Sequence, residues 1–286
     1  MGVIRPVRPG TLWIVADGPR SGHEAQLCEQ ARNLAEQAVN WPCRIEKVYA
    51  DRNLGIRTRL ETGLDAVFAR EEEAILLEED CLPAPDFFPF CAEMLSRYRQ
   101  EGRVAGISGN CFLPEDANLA TDYFFSRYLH IWGWATWARA WKDYRTEAKA
   151  WPEDGFRHFF PKASGMEAAY WNRIFSRMEA GRIQTWDYPW LAHLWARGWV
   201  SVTPGQNLVA NVGFGPEATH TQDATVDLGI RRGGSLRPPY RGPTKIAADE
   251  KLDQAIFRNH FLRTEGRRSL WQKIRDRLFG GASAYL

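Results

Sequence analysis

The sequence predicts an α/β fold in which short buried strands alternate with helices. Apolar-rich runs recur at residues 11–16, 43–49 and 74–77, and the two intervals between them show helical apolar spacing. A βαβαβ order of this kind favours a parallel sheet with right-handed crossovers, and hence a nucleotide-binding type of half-domain. With 286 residues, the chain is long enough for one large domain or two modest ones.

The first two predicted strands each end in polar turn residues. The first strand is followed by Asp17-Gly18-Pro19-Arg20, which supplies turn chemistry and a cation at the carboxyl edge of the strand. The second is followed by a segment that contains Asn53-Leu54-Gly55. Helices are predicted after these turns, over residues 22–39 and 56–70.

The third strand ends in the acidic triplet Glu78-Glu79-Asp80, the most informative segment of the chain. Acids at the carboxyl end of a strand open into the crevice where open α/β sheets bind ligands. Carboxylate oxygens suit a hard divalent cation, and three adjacent acids repel one another unless a cation or water compensates them. A proline-stiffened turn follows the triplet. The pattern predicts a metal and phosphate site, and a solvated turn is the alternative.

The second half of the chain is aromatic and less regular. The tryptophans concentrate between Trp132 and Trp199, where they form either a thick core or a groove that stacks on sugar rings. From about residue 223 the composition turns to Gly, Pro and Arg, which predicts a mobile connector. The remaining predicted elements are strands at 103–108 and 199–202, a β-like run at 182–186, and helices at 87–100, 166–180 and 188–197.

The basic amphipathic tail at residues 267–279 places apolar side chains on one helical stripe with arginines around it. This pattern fits a helix on an anionic membrane surface, or a terminal helix packed on the domain. The apolar residues of the stripe are Leu270, Trp271, Ile274 and Leu278.

Bulk properties narrow the class of protein. Hydrophobic residues at 44%, charged residues at 25% and a net charge of +2 provide no general drive toward nucleic acid, so we expect no nucleic-acid partner. The five cysteines form no C-x-x-C pair, which favours a reducing compartment and buried thiols.

We find no secretory signal and no apolar run that could span a membrane, and we expect a cytoplasmic enzyme. The sequence contains neither G-x-G-x-x-G nor G-x-x-x-x-G-K-[ST], so neither a classical dinucleotide enzyme nor a P-loop NTPase is supported.

In order along the chain, these motifs resemble those of the GT-A glycosyltransferases, and in particular the N-acetylglucosaminyltransferase I type. That family has an acidic E-D-D followed by A-P-D-F-F, which here reads Glu78-Glu79-Asp80 and then Ala84-Pro85-Asp86-Phe87-Phe88. Later members of the series are a serine-containing strand, a G-W pair at Gly133-Trp134, a W-D pair at Trp186-Asp187 and a histidine at Thr219-His220. The resemblance covers roughly residues 11–222.

Two positions depart from the family pattern. The middle acid is Glu79 where the family usually has Asp. The W-D pair continues as Tyr188-Pro189-Trp190, in place of W-D-D-W.

The resemblance implies a GT-A-like, Rossmann-type mixed sheet flanked by helices in a single catalytic domain over residues 1–222. The donor half would cover about residues 1–110 and the acceptor half about 111–222. Residues 223–286 would form the connector and the C-terminal helical tail.

The same resemblance implies a metal-dependent transfer of a sugar from a nucleotide-sugar donor to a hydroxyl of a glycan or lipid-linked glycan acceptor. Asp80 would coordinate Mn²⁺ or Mg²⁺, and His220, in a glycine-rich loop, would contact the metal or the phosphates. Glu79 would lie toward the ribose and Glu78 toward the transferred sugar. An inverting transfer needs a base, and Asp187 is the candidate, with a helix N-cap as its alternative or additional role.

The turns after the first two strands would hold the base and ribose of the donor. Ordinary turn chemistry is the alternative for both. The residues concerned are Asp17, Gly18 and Arg20 after the first strand and Asn53 and Gly55 after the second.

Other functions fit parts of this pattern. A nucleotidyltransferase of sugar phosphates shares such a sheet and acidic site, although it usually carries a glycine-rich, lysine-containing loop near the amino terminus. A non-catalytic carbohydrate-binding module would use only the tryptophans. A surface-bound interaction protein, with peripheral membrane contact through residues 267–279, is supported only by the basic tail.

Overall fold

The computed structural model describes residues 1–142, 144, 151–213 and 236–262. These residues form a mixed α/β structure with a five-stranded sheet flanked by helices. The strands, in chain order, are β1 (Thr11–Ala16), β2 (Arg44–Tyr49), β3 (Glu73–Leu76), β4 (Cys81–Pro83), β5 (Val104–Ser108), β6 (Tyr123–Ser126), β7 (Trp134–Trp137), β8 (Val200–Pro204) and β9 (Val209–Asn211). The helices are α1 (Gly22–Gln37), α2 (Ile56–Phe68), α3 (Phe87–Tyr98), α4 (Ala138–Trp141), α5 (Gly165–Glu179), α6 (Asp187–Ala196) and α7 (Glu250–Ile256), with a 3₁₀ turn at Gly155–His158 and a π-helix at Phe257–Leu262.

The main sheet has the strand order β3-β7-β5-β8-β6. Only β5 and β8 run parallel, while the other neighbours are antiparallel. The prediction of a mixed sheet flanked by helices is therefore confirmed.

The parallel sheet that we expected over the first eighty residues forms only in part. β1 and β2 pair in parallel along their full length, as a separate two-stranded sheet. β3 instead pairs antiparallel with β7, and among the described residues no ladder joins it to β1. The partner of β3 lies some sixty residues later in the chain, so local strand order could not reveal this pairing.

Helix α2 links the β1-β2 sheet to the main sheet. It begins beside the carboxyl end of β1, where the Asp17 carboxylate accepts a hydrogen bond from the Gly55 backbone. It ends near the amino end of β1, where the indole N–H of Trp13 donates to Glu71 at 3.1 Å. β3 starts from that point, at the opposite end of β1 from Asp17.

The core lies on both faces of the main sheet. One cluster, rich in aromatic residues, fills the space against α5 and α6, and the other packs under α3. Trp134 and Trp137 are almost completely buried, which supports the core interpretation for these two tryptophans. Both lie in β7.

Residues 236–262, which we expected to belong to a mobile connector, pack against the rest of the described chain. Leu236 and Tyr240 enter the core, and α7 places Asp253 in a buried ion pair with Arg127. These contacts depend on distant residues and leave no trace in local composition. Residues 223–235 and the predicted tail at 267–279 lie outside the described residues.

Three smaller predictions also need revision. The β-like run at residues 182–186 is irregular, and residues 81–83 form β4, which pairs with β9. All five cysteines are free, but only Cys81 and Cys91 are buried. No helix within the described ranges is both long enough and apolar enough to cross a membrane.

Candidate active site

The acidic triplet forms the link between β3 and β4. Glu78 and Asp80 are partly buried, whereas Glu79 is exposed. A turn closed by the Cys81 N–H and the Glu78 carbonyl at 3.1 Å shapes the link. The triplet therefore sits at the carboxyl end of β3, as its sequence position predicted.

A second chain segment closes over Asp80. The Val212 N–H donates to the Asp80 carbonyl at 2.8 Å, and the Gly213 N–H donates to Oδ1 of Asn211 at 2.7 Å. A Cβ atom on Gly213 would overlap Oδ2 of Asp80. The backbone after β9 thus lies directly against the carboxylate, at a distance that only glycine permits.

Asp187 is brought to this cluster by a strand pairing and an aromatic stack. In the main sheet, Leu76 at the end of β3 lies opposite Trp134 of β7. The Trp134 ring stacks on Trp186, with centroids 5.6 Å apart and planes 27° apart. Trp186 precedes Asp187, so the first residue of α6 lies beside the strand end that carries the acids.

The charges of these acids influence one another. Burial is the main cause that raises the pKa of Glu78, and the negative charges of Asp80, Glu79 and Asp187 add to it in that order, so that together they bring it to about 8. Asp187, more than a hundred residues away in sequence, therefore belongs to the same electrostatic cluster as the triplet.

The Asp187 carboxylate is held in a defined place. Burial raises its pKa, while the Thr185 hydroxyl and the backbone N–H groups of Tyr188 and Asp187 oppose that rise by donating hydrogen bonds. The side chain keeps partial solvent exposure. Asp187 is the first residue of α6 rather than its N-cap, which is Trp186, yet its carboxylate still binds N–H groups of the first turn.

The predicted donor-edge residues are also brought together. Oδ1 of Asp17 accepts from the N–H groups of Gly18 at 2.8 Å and Leu54 at 2.9 Å, and Oδ2 accepts from the Gly55 N–H and the Asn53 amide at 3.0 Å each. Asp17 thereby ties the turn after β1 to the start of α2. Contact of these residues with a donor stays a prediction, and the observed bonds show a structural role.

Gly18 is packed against a neighbouring turn, whereas the Arg20 side chain is exposed. A Cβ atom on Gly18 would meet the backbone of Arg52 at 2.5 Å, so the two turns pack too closely for any larger residue. The Arg20 side chain is 74% exposed and pairs with Glu24 in the first turn of α1 at 2.8 Å. His220, the remaining predicted site residue, lies outside the described residues.

The carboxylates suit a divalent cation. Burial, and after it the negative charges of the neighbouring acids, raises the pKa of Glu78, and a bound cation would relieve that repulsion. Across the described ranges, no three histidine, cysteine or acidic side chains converge tightly enough to form a metal site by themselves. An ion held by one or two carboxylates and the oxygens of a bound diphosphate requires no such group.

Several residues of this site were missed at the level of sequence. Asn211 and Gly213 stand against Asp80, and Thr185 binds Asp187. The short spacing Asn-x-Gly after a strand was an available turn signal. Tyr144, whose hydroxyl reaches the Trp186 carbonyl, had no local signal at all.

A comparison with models of known protein families finds no match to this chain. A comparison with curated proteins also finds none.

Proposed function

We propose that this protein is a metal-dependent glycosyltransferase of the GT-A type that moves a sugar from a nucleotide-sugar donor to a hydroxyl of a glycan or lipid-linked glycan. One observation carries the proposal. Three segments that are far apart in sequence converge at one strand end, and they bring the carboxylates of Glu78, Asp80 and Asp187 into a single charged cluster closed by Gly213. Clustered acids at the carboxyl end of a sheet strand are suited to a cation and a diphosphate.

Asp80 is the residue that would hold Mn²⁺ or Mg²⁺. When bound, such an ion supplies Lewis-acid stabilisation of the leaving diphosphate. At Gly213, one side of the Asp80 carboxylate is lined by backbone alone. The hydrogen bond from the Val212 N–H to the Asp80 carbonyl holds the main chain of Asp80 in place. His220 is proposed as a further contact from the segment beyond Gly213.

Asp187 is the proposed base. Inversion requires a carboxylate to accept the proton of the acceptor hydroxyl as its oxygen attacks the anomeric carbon. Burial raises the pKa of Asp187 toward neutral pH, and this makes its carboxylate a better proton acceptor. Its hydrogen bonds with Thr185 and the first turn of α6 hold the carboxylate in one orientation.

The decisive test is whether donor binding requires both the metal and Asp80. We expect nucleotide sugars to raise the thermal unfolding midpoint of the wild-type protein only when Mn²⁺ is present. Asp80→Asn should abolish that rise and should reduce calorimetric donor affinity by about a hundredfold or more, which corresponds to about 2.7 kcal/mol. A panel of nucleotide sugars serves as the probe.

Asp116→Asn is the matched control, because Asp116 is an exposed acid in the loop between β5 and β6. This variant should bind donors as the wild type does. Equal donor binding by wild type and Asp80→Asn, or the absence of any Mn²⁺-dependent binding across the panel, would rule out the proposed function.

A further inference from the structure

A buried tyrosine joins α2 to the start of α6. The hydroxyl of Tyr144 lies 3.0 Å from Oε1 of Glu61 and 3.2 Å from the main-chain oxygen of Trp186. Glu61 is itself buried, and Nε of Arg57, one turn earlier in α2, lies 3.1 Å from its carboxylate. The peptide oxygen that receives this contact belongs to the residue directly before Asp187.

The Tyr144 ring is confined by its neighbours. Its centroid lies 4.8 Å from that of Trp141 and 5.4 Å from that of Trp190, the latter in an edge-to-face arrangement. Because the ring is enclosed, its hydroxyl stays between α2 and the Trp186 carbonyl. Two anchors therefore act on Trp186, since Trp134 stacks on its ring and Tyr144 contacts its main chain.

The phenol remains a hydrogen-bond donor at neutral pH. Burial, together with the nearby Glu61 carboxylate, raises the pKa of Tyr144. Its single proton can serve either the Glu61 oxygen or the Trp186 oxygen at any moment, since both are acceptors. In either state the hydroxyl occupies the gap between the two helices.

We infer that Tyr144 is a positioning residue for Asp187, held in turn by Glu61. By bracing the Trp186 carbonyl against α2, it sets where the first turn of α6 begins and therefore where the Asp187 carboxylate points. The inference rests on the proposed function in one respect, because it takes Asp187 to be the base.

The test compares two tyrosine-to-phenylalanine substitutions. Tyr144→Phe keeps the enclosed ring and removes only the hydroxyl. Tyr98→Phe is the matched control, because Tyr98 is also buried and its hydroxyl lies 2.6 Å from that of Tyr123, in the core cluster under α3. Glu61→Gln is a second variant, used if Tyr144→Phe fails to fold. It changes the side chain that the Tyr144 hydroxyl contacts and keeps its shape.

The first readout does not depend on activity. Asp187 and Tyr188 are the first two residues of α6, so the hydrogen exchange of their backbone amides reports the order of this first turn. We expect exchange at these two amides to become about tenfold faster in Tyr144→Phe and Glu61→Gln, and to be unchanged in Tyr98→Phe. Unchanged exchange in both site variants, or equal acceleration in the control, overturns the inference.

The second readout separates positioning from donor binding. With Mn²⁺, a nucleotide sugar and methyl glycosides as acceptors, Tyr144→Phe should lower kcat roughly tenfold to a hundredfold and leave the donor KM unchanged. A normal kcat in an active enzyme also overturns the inference. If the wild type turns over no nucleotide sugar, the proposed function fails, and the exchange result alone decides whether Tyr144 positions Asp187.

Discussion

At the scale of single residues, the site is defined by negative charge in a confined place. Glu78 shows the effect most clearly: burial and three neighbouring carboxylates together raise its pKa to about 8. Asp80 is confined differently, by a glycine backbone that touches its carboxylate. Acids that share a partly buried site favour a cation, since a cation removes the repulsion between them.

The pKa of Glu78 leads to a prediction about stability. A carboxyl group whose pKa is higher in the folded state than the ordinary 4.5 contributes stability below that ordinary value and loses it as the pH rises through about 8. Without added divalent cation, the free energy of unfolding should therefore fall between about pH 5 and pH 8. Urea unfolding across this range measures the slope.

Glu78→Gln should flatten this pH dependence, because glutamine does not titrate. Glu153→Gln, at an exposed position, serves as the control and should keep the wild-type slope. If wild type and Glu78→Gln show the same slope, Glu78 does not titrate as its surroundings indicate.

At the scale of secondary-structure elements, α2 connects both parts of the candidate site. Its N-cap residue, Gly55, has no side chain to bind the first N–H groups of the helix. Asp17, at the end of β1, accepts hydrogen bonds from the backbone N–H groups of Leu54 and Gly55, the two residues directly before the helix. Further along, Glu61 of α2 holds Tyr144. The helix therefore joins the predicted donor edge to the residue before Asp187.

Asp17→Asn should weaken this start of α2. The substituted amide nitrogen replaces an acceptor with a donor, so it faces an N–H group without a partner. We expect a loss of about 1–3 kcal/mol in the free energy of unfolding, measured by urea denaturation. Asp51→Asn, an exposed acid in the neighbouring turn, should change stability little. Equal losses in the two variants would contradict the role of Asp17 in holding the residues directly before α2.

At the scale of the whole molecule, a buried charged network ties the C-terminal segment to the sheet. Nε of Arg127 lies 3.1 Å from Oδ2 of Asp253, and its Nη1 lies 3.6 Å from Oε1 of Glu167. Both carboxylates are fully buried, and the Ser126 hydroxyl also contacts Asp253. Burial raises the pKa of Asp253 to about 6, although Arg127 partly opposes this.

Arg127→Met should destabilise the whole fold, because it leaves two buried carboxylates without their cation. We expect the free energy of unfolding to fall by about 3–5 kcal/mol in urea titrations. Amide exchange in α7 should accelerate as well. Arg157→Met, at an exposed position, provides the control, and similar stability of the two variants would show that the network does not anchor this segment.

Much of the element content followed from sequence patterns. The helices from α1 to α6, apart from the short α4, match predicted segments to within a few residues. Those segments combine amphipathic spacing with local start signals such as Ser21 and Ser164, whose side chains cap α1 and α5. Short strands such as β4, β6 and β9 were missed, because three or four residues carry too little periodicity.

The sequence by itself determined the α/β class, the acidic triplet at a strand end and Asp187 at the start of a helix, because these depend on neighbouring residues. The pairing of β3 with β7, the closure of Gly213 on Asp80 and the bridge from Glu61 through Tyr144 to Trp186 were decided only by the tertiary structure. Each joins residues far apart in the chain, and such contacts form only when the burial of the surrounding aromatic core brings distant segments together.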